Sequence, residues 1–406
     1  MEPQAQALNL IDSIVARQDE FAAIRRDLHA YPELRYEETR TAGEVAARLE
    51  SFGIAVHRGL GRTGVVGSIR AGNSARAIGL RADMDALPVH ERNTFAHRSR
   101  HAGRMHACGH DGHTTMLLAA ARHLVETCRF DGTVHLIFQP AEEGGGGARE
   151  MMRDGLFEKF PCEAVFGMHN WPGMPVGRFG MTAGPMMASS NEFQIVVKGR
   201  GAHAAMPHQG IDPVLTAVAI AQSLQSLITR NKKPVDTAVL SITQIHAGEA
   251  DNVIPDEATL RGTVRTFTHA VLDQIEAGLR RVAEHTARAH GAEATVRFVR
   301  NYPPLINSVA ETRLAAAVAR AVVGSERVDD QVEPTMGAED FAFMLEQKPG
   351  CYVFIGNGEG DHRLPGHGAG PCMLHNASYD FNDALIPIGA SYWVKLVETW
   401  LDPARG

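Results

Sequence analysis

Apolar positions at the start of the chain recur at helical spacing, Leu8, Ile11 and Val15 first, then Val45, Leu49 and Phe52, so the first 52 residues predict two amphipathic helices. The pattern then shortens. Runs at 64–69 and 77–81 read as strands, 114–128 as a helix, and 133–138 and 164–168 as further strands. Strands alternating with helices predict an α/β layer fold around a mainly parallel, buried sheet.

After Gly184 the order changes. A strand at 192–198 precedes a helix at 213–230, which Asp212 caps with Pro213 at its first position. Strands at 237–245 and 259–267, a helix capped by Thr268 that runs to about His290, and a strand at 294–299 complete a β-α-β-β-α-β unit of ferredoxin-like type. Helices at 312–323 and 339–347, a strand at 351–355 and a closing helix up to Trp400 then resume the α/β pattern. The organisation predicted is a discontinuous domain, 1–186 and 303–406, interrupted by an inserted α+β domain, 187–302.

The 406 residues carry 40 Lys+Arg against 47 Asp+Glu, a net charge of −7, with no basic run. Nucleic acid is therefore not an expected partner, because affinity there rests on clustered cations, and membrane surfaces are disfavoured for the same reason. No stretch reaches the roughly 18 apolar residues of a membrane span. The segment 1–34 lacks the basic start and apolar run of a signal peptide, and five scattered cysteines do not make a disulfide framework. A cytoplasmic enzyme is expected.

With 20 histidines, only clustering carries information. His106-Ala-Cys108-Gly-His110-Asp111-Gly-His113 places four potential soft or borderline ligands in eight residues, a set that suits Zn²⁺ or a neighbouring transition metal. Taken singly, Cys108 reads as well as a small buried hydrophobe, and the histidines as caps or core hydrogen-bonders. Glu142 and Glu143 follow the apolar strand at 133–138, at the end of the sheet where ligands gather. On a turn they face different ways, so one can hold an ion while the other takes a proton from water; alone they read equally as a solvated acidic loop. Asp83 and Asp85, two residues apart, face one side and can ligate metal, orient a ligand histidine from behind, or accept a turn bond before Pro88. His169 and His375 gain weight only together with these clusters.

Six segments, 106–113, 139–143, 167–169, 201–208, 336–341 and 379–383, resemble in order the signature set of the M20 metallopeptidase family, in its hippurate hydrolase and amidohydrolase branch. The resemblance spans nearly the whole chain. It implies a metal-dependent amidohydrolase acting on N-acyl amino acids. It puts Cys108, His110, Glu143, His169 and His375 on metal-ligand positions for two divalent transition-metal ions (Zn, Mn, Co or Ni) and Glu142 on the catalytic base; Asp85 is expected behind the ligands from its spacing with Asp83. It also implies that His203 reaches a neighbouring subunit's site, hence a homodimer or higher homo-oligomer through the inserted lid domain, and that Asn252 and Arg265 contact the substrate carboxylate. For these last two an ordinary surface role stays open. Two departures, Ala202 where glycine is common and Ala377 where proline is common, bear on pocket shape rather than on reacting groups. The alternatives are a dipeptidase or carboxypeptidase of the same metal-dependent type, a hydrolase using Cys108 as nucleophile, and a non-catalytic metal- or ligand-binding protein.

Overall fold

A computed structural model describes residues 8–359 and 372–405. The chain forms two compact units, one from Met1–Gly184, Ile306–Glu333 and Phe343–Gly406, the other from Pro185–Leu305 and Pro334–Ala342.

The first unit is built on an eight-stranded sheet in the order Ala55–Leu60, Gly64–Ala71, Gly132–Gln139, Ala77–Asp83, Ala164–Pro172, Gly350–Gly358, Phe179–Gly180, Val328–Asp329. Its four central strands, from Gly132–Gln139 to Gly350–Gly358, run parallel. Parallel strands are covered on both faces, and every residue of Ala77–Asp83 is accordingly buried. The first two strands pair antiparallel with each other, and the second pairs antiparallel with Gly132–Gln139. The helices His110–Thr127 and Leu385–Trp400 pack together, and Gln18–Ala30 packs on the first of them. Because the central strands share a direction, Asp83, Gln139 and His169 all lie at or near the C-terminal ends of their strands, on one edge of the sheet.

Several elements differ from the sequence pattern. The N-terminal stretch holds three helical segments, Asp12–Val15, Gln18–Ala30 and Thr39–Ser51, rather than two. The strand Ala55–Leu60 has no alternating apolar pattern, because it is an edge strand with most of its residues at least partly exposed. The helix expected from Thr114 starts at His110, where Gly109 takes the left-handed φ of 94° that lets the chain enter the helix. The helix expected over 339–347 is one turn, Ala342–Leu345.

The second unit is a four-stranded antiparallel sheet in the order Ala238–Ala247, Glu257–Thr266, Ser190–Lys198, Glu293–Tyr302, the order of a ferredoxin-like split unit. The helices Pro213–Thr229 and His269–Ala289 cover one face, burying Phe193, Ile195, Val197, Leu260 and Val264. Asp212 Oδ1 caps the first helix on the amides of Val214 and Leu215, and Thr268 Oγ1 caps the second on Val271. Among the described residues, no helix is long and apolar enough to cross a membrane.

Candidate metal centre

At the C-terminal edge of the first unit's sheet, the turn after Gly132–Gln139, the entry of the His110–Thr127 helix, the end of Ala164–Pro172 and the segment around His375 converge. Ligand atoms of Cys108, His110 and His169 lie within 4.8 Å of one another, and so do those of Cys108, Glu143 and His375, so Cys108 belongs to both groups. Cys108 Sγ is 3.3 Å from His169 Nε2, and His375 Nε2 is 3.2 Å from Glu143 Oε1. Glu142 joins through a third group with His110 and Glu143.

Hydrogen bonds behind the site fix which ring atoms face it. His169 Nδ1 lies 2.7 Å from the carbonyl oxygen of Asn170, which only accepts, so Nδ1 carries the proton and the Nε2 lone pair points at Cys108. His110 Nδ1 is 3.2 Å from Asp85 Oδ1 and donates to it. Its Nε2 is buried without a hydrogen-bond partner, 3.8 Å from Asp83 Oδ2 and beyond bonding reach. Such an orphaned ring nitrogen among carboxylates and a thiol fits a bound divalent cation, and a carboxylate behind a ligand histidine is the usual support for one.

The electrostatics point the same way. Burial opposes charge on His110, but Asp83 and Asp85 outweigh it and raise its pKa to about 10. Burial, reinforced by Glu143, Glu142 and Asp83, pushes the Cys108 thiol well up. Burial, together with His113, pushes His169 well down. Without an ion the cluster therefore recruits a proton to His110 and keeps the thiol neutral. A cation would take over the proton's role and favour the thiolate.

Two histidines of the 106–113 segment lie outside these three groups, although ligand atoms of His113, His110 and Asp83 also come within 4.8 Å of one another. His113 Nδ1 lies 2.6 Å from Asp83 Oδ1, and its Nε2 lies 2.7 Å from Asn170 Oδ1 and 3.0 Å from the amide nitrogen of Asn170. His106 is buried, with neither ring nitrogen hydrogen-bonded, and burial drives its pKa down to about 4. Asp85 takes part from behind: its two oxygens accept the amides of Glu142 and Glu143 at 3.0 and 2.9 Å.

The second unit holds the remaining candidates. His203 is exposed on the two-residue strand Ala202–His203, which pairs with Val253–Ile254, and its Nδ1 accepts the amide of Ala205 at 3.0 Å. Asn252 is exposed just before that partner strand, and its carbonyl accepts the amide of Ala204 at 3.0 Å. Arg265 belongs to the other sheet. It lines a pocket of ≈ 500 Å³ on the open face with Glu192, Gln194, Arg261 and Arg297, and burial lowers its pKa against the pull of Glu192.

Sequence reasoning passes over three buried charges near the centre, Arg25, His29 and Glu38, all fully buried. Arg25 and His29 sit four apart on one helix face, a spacing that could have flagged a shared partner. Glu38 lies in the polar run Arg35-Tyr-Glu-Glu-Thr-Arg40 and carries no such signal.

A model of the peptidase family M20/M25/M40 matches residues 79–399. The chain is 41% identical over 394 residues to a hippurate hydrolase of Campylobacter jejuni, covering 97% of this chain and 100% of that one. It is 38% identical over 348 residues to thermostable carboxypeptidase 1 of Saccharolobus solfataricus, covering 84% and 86%. A Bacillus subtilis crystal structure described as a dinuclear metal binding peptidase from the M20 family is similar at a TM-score of 0.82 and 33% identity, over 96% of this chain and 99% of that one.

Proposed function

Because the chain belongs to the peptidase family M20/M25/M40, we propose that it is a metal-dependent amidohydrolase that splits N-acyl amino acids, hippurate-like compounds among them, into a carboxylic acid and an amino acid. The observation that carries this is the convergence of Cys108, His110, Glu143, His169 and His375 around Glu142, with the imidazole lone pairs of His110 and His169 turned toward the group.

In this reading those five side chains hold two divalent transition-metal ions, Cys108 belonging to both sets. The thiol and imidazoles favour Zn, Mn, Co or Ni over magnesium or calcium. When bound, such ions supply a lowered water pKa and positive charge for the amide oxygen. Glu142, adjacent in sequence to a ligand, removes the proton from the attacking water and returns it to the leaving amine. Asp85 holds His110 from behind and keeps the amides of Glu142 and Glu143 in place. Arg265 pairs with the substrate carboxylate, and Asn252 is a further contact to it. The thiol-nucleophile alternative is disfavoured, since burial and three neighbouring carboxylates raise Cys108 away from the thiolate form.

The decisive assay removes metal with a chelator and restores Mn²⁺, Zn²⁺, Co²⁺ or Ni²⁺ one at a time, with N-benzoylglycine and related N-acyl amino acids as substrates. Turnover should vanish and return to different extents. Full activity without metal would overturn the reading. The carboxypeptidase relative supports a second substrate class, peptides with a free C-terminus; faster cleavage of these than of N-acyl amino acids would select it. In either case amides in place of the free carboxylate should be poor substrates, and equal rates would remove Arg265 from the site.

The reading extends to a cytoplasmic homodimer formed through the inserted unit. There Val214, Leu215 and Val218 are exposed on the Pro213–Thr229 helix, beside the edge strand Ala238–Ala247 and its exposed Ile245. An apolar helix face next to an unpaired strand suits symmetric pairing with a second copy, and His203 would then serve the partner's site by stabilising the oxyanion. Mixing inactive His203→Ala and Glu142→Ala chains should restore activity in mixed dimers. Mixed dimers that form, hold metal and stay inactive would place His203 outside a shared site.

A further inference from the structure

Three consecutive backbone amides, those of Ala141, Glu142 and Glu143, point at carboxylates. Asp85 takes the second and third, and Glu38 takes the first: its Oε1 accepts the amide of Ala141 at 2.8 Å. The same oxygen accepts the amide of Tyr36 at 2.9 Å, while Oε2 accepts the hydroxyl of Thr63 at 2.7 Å. Both residues that donate their amides to Oε1 are non-glycine residues in the left-handed region, Tyr36 at φ 66° and Ala141 at φ 53°. An L-residue with a Cβ is disfavoured there, so something in the surroundings must hold it.

The neighbours of Glu38 grip the same turn. Arg35 Nη1 donates to the carbonyl of Glu143 at 2.8 Å, and the Tyr36 hydroxyl donates to the carbonyl of Gly145 at 2.7 Å. Burial and then Asp85 push the Glu38 carboxyl up to about 7, so the three hydrogen bonds hold a carboxylate where the surroundings disfavour charge. An apolar residue in its place would leave the amides of Tyr36 and Ala141 and the hydroxyl of Thr63 without this acceptor, so the test has to separate lost stability from a misplaced backbone.

We propose that Glu38 is a positioning residue: by holding Ala141 in the left-handed conformation, it sets where the next residue, Glu142, carries its carboxylate. This rests on the reading of Glu142 as the proton-transferring group. Misplacing a reacting group by about 1 Å costs on the order of 10²-fold in rate.

The test is a rescue by glycine, which adopts a positive φ without the Cβ penalty. In metal-reconstituted enzyme, Glu38→Ala should lower kcat by about 10- to 100-fold, with KM and bound metal close to those of the parent. Adding Ala141→Gly to it should recover kcat several-fold. Glu38→Gln keeps one acceptor oxygen for the two amides and should lie between Glu38→Ala and the parent. A Glu38→Ala enzyme with parental kcat overturns the inference, as does a metal-loaded double variant no faster than Glu38→Ala. Should Glu38→Ala fail to fold, the same comparison is made with Glu38→Gln and Thr63→Ala, with and without Ala141→Gly, and absence of both a kcat loss and a glycine rescue again overturns it. Glu142→Gln is assayed in parallel. If that variant is fully active, the reading of Glu142 fails; if it is inactive while Glu38→Ala matches the parent, the inference about Glu38 alone fails.

Discussion

Two buried clusters of ionisable groups meet at the dipeptide His110-Asp111, and they are balanced in opposite ways. On the Asp111 side, Arg25 is fully buried and bonds Asp383 at 2.7 Å and Asp380 at 2.8 Å, with Asp111 at 3.4 Å. His29 bridges Asp111 at 2.9 Å and Glu91 at 3.2 Å. This cluster carries its own fixed cation. On the His110 side, the carboxylates of Asp83, Asp85, Glu142 and Glu143 gather around a thiol and imidazoles, and Arg81, bonded to Asp83 at 2.6 Å, is the guanidinium paired within it. Its charge is completed by protonating His110 or by a cation from solution. The contrast separates a structural ion network from a binding site: one is filled by the sequence, the other leaves room for something the sequence does not encode.

The sharpest way to probe the open cluster is to separate its two neighbouring glutamates. Glu142→Gln should keep bound metal and lose on the order of 10²- to 10⁴-fold in turnover, whereas Glu143→Gln should lose metal, as measured by metal analysis of the purified variants. If Glu143→Gln alone is inactive and both bind metal normally, the two roles are reversed.

Breaking the self-contained cluster should instead cost stability. Arg25→Met leaves Asp111 and Asp380 without their guanidinium, while Asp383 keeps that of Arg26, and removing one partner of a buried ion pair costs about 3–5 kcal/mol. Chemical denaturation of chelated protein should show this loss in full, since it does not pass through metal. A loss seen only in the loaded protein would mean that the two clusters are not separate.

The pH dependence of stability distinguishes them more finely. In His29 burial opposes charge, yet Asp111 and Glu91 raise the pKa to about 9. A raised pKa means that the folded state binds the proton more tightly than the unfolded one. Its contribution is therefore complete below the unfolded pKa of about 6.5 and is lost as pH rises through about 9. Tm should fall across that window, and His29→Gln should flatten the slope; an unchanged slope would remove His29 from the balance. The smallest effect is expected at the surface pair Arg17–Glu126, 2.7 Å long but with both side chains partly exposed. Arg17→Ala should change stability by less than about 1 kcal/mol in denaturant titration, and a larger loss would mean that buried and exposed pairs do not differ as the comparison requires.

The elements legible in the sequence are those whose signals are local. Asp212 with Pro213, and Thr268, mark helix starts that the structure places at Pro213 and His269. The central strands read as largely apolar runs because both faces are covered, which buries almost every residue in them. The one-turn helix Ala342–Leu345 falls short of its apolar pattern, and the polar edge strand Ala55–Leu60 has no pattern to read. At the site, chemistry concentrated in short segments, such as Cys108 with His110 or Glu142 with Glu143, is visible as composition. Glu38 is not, because its role depends on Thr63 and Ala141, the latter 103 residues away, and on a burial that a polar run conceals. Arg25 likewise carries no signal of its own until its acidic partners, two of them more than 350 residues further on, are brought to it.

The interruption of the first unit also sets an order of events during synthesis. The adjacent parallel strands Ala164–Pro172 and Gly350–Gly358 begin 350 − 164 = 186 residues apart. At about 5–20 residues per second, a ribosome needs roughly ten to forty seconds to make the second after the first. Through that interval the sheet edge at Ala164–Pro172 stands open to other chains, while the inserted unit already has most of its sequence. The metal centre closes later still, since His375 emerges after the last strand. Nascent chains stalled just before residue 350 should therefore protect the inserted unit from protease while the first unit stays susceptible and binds no metal.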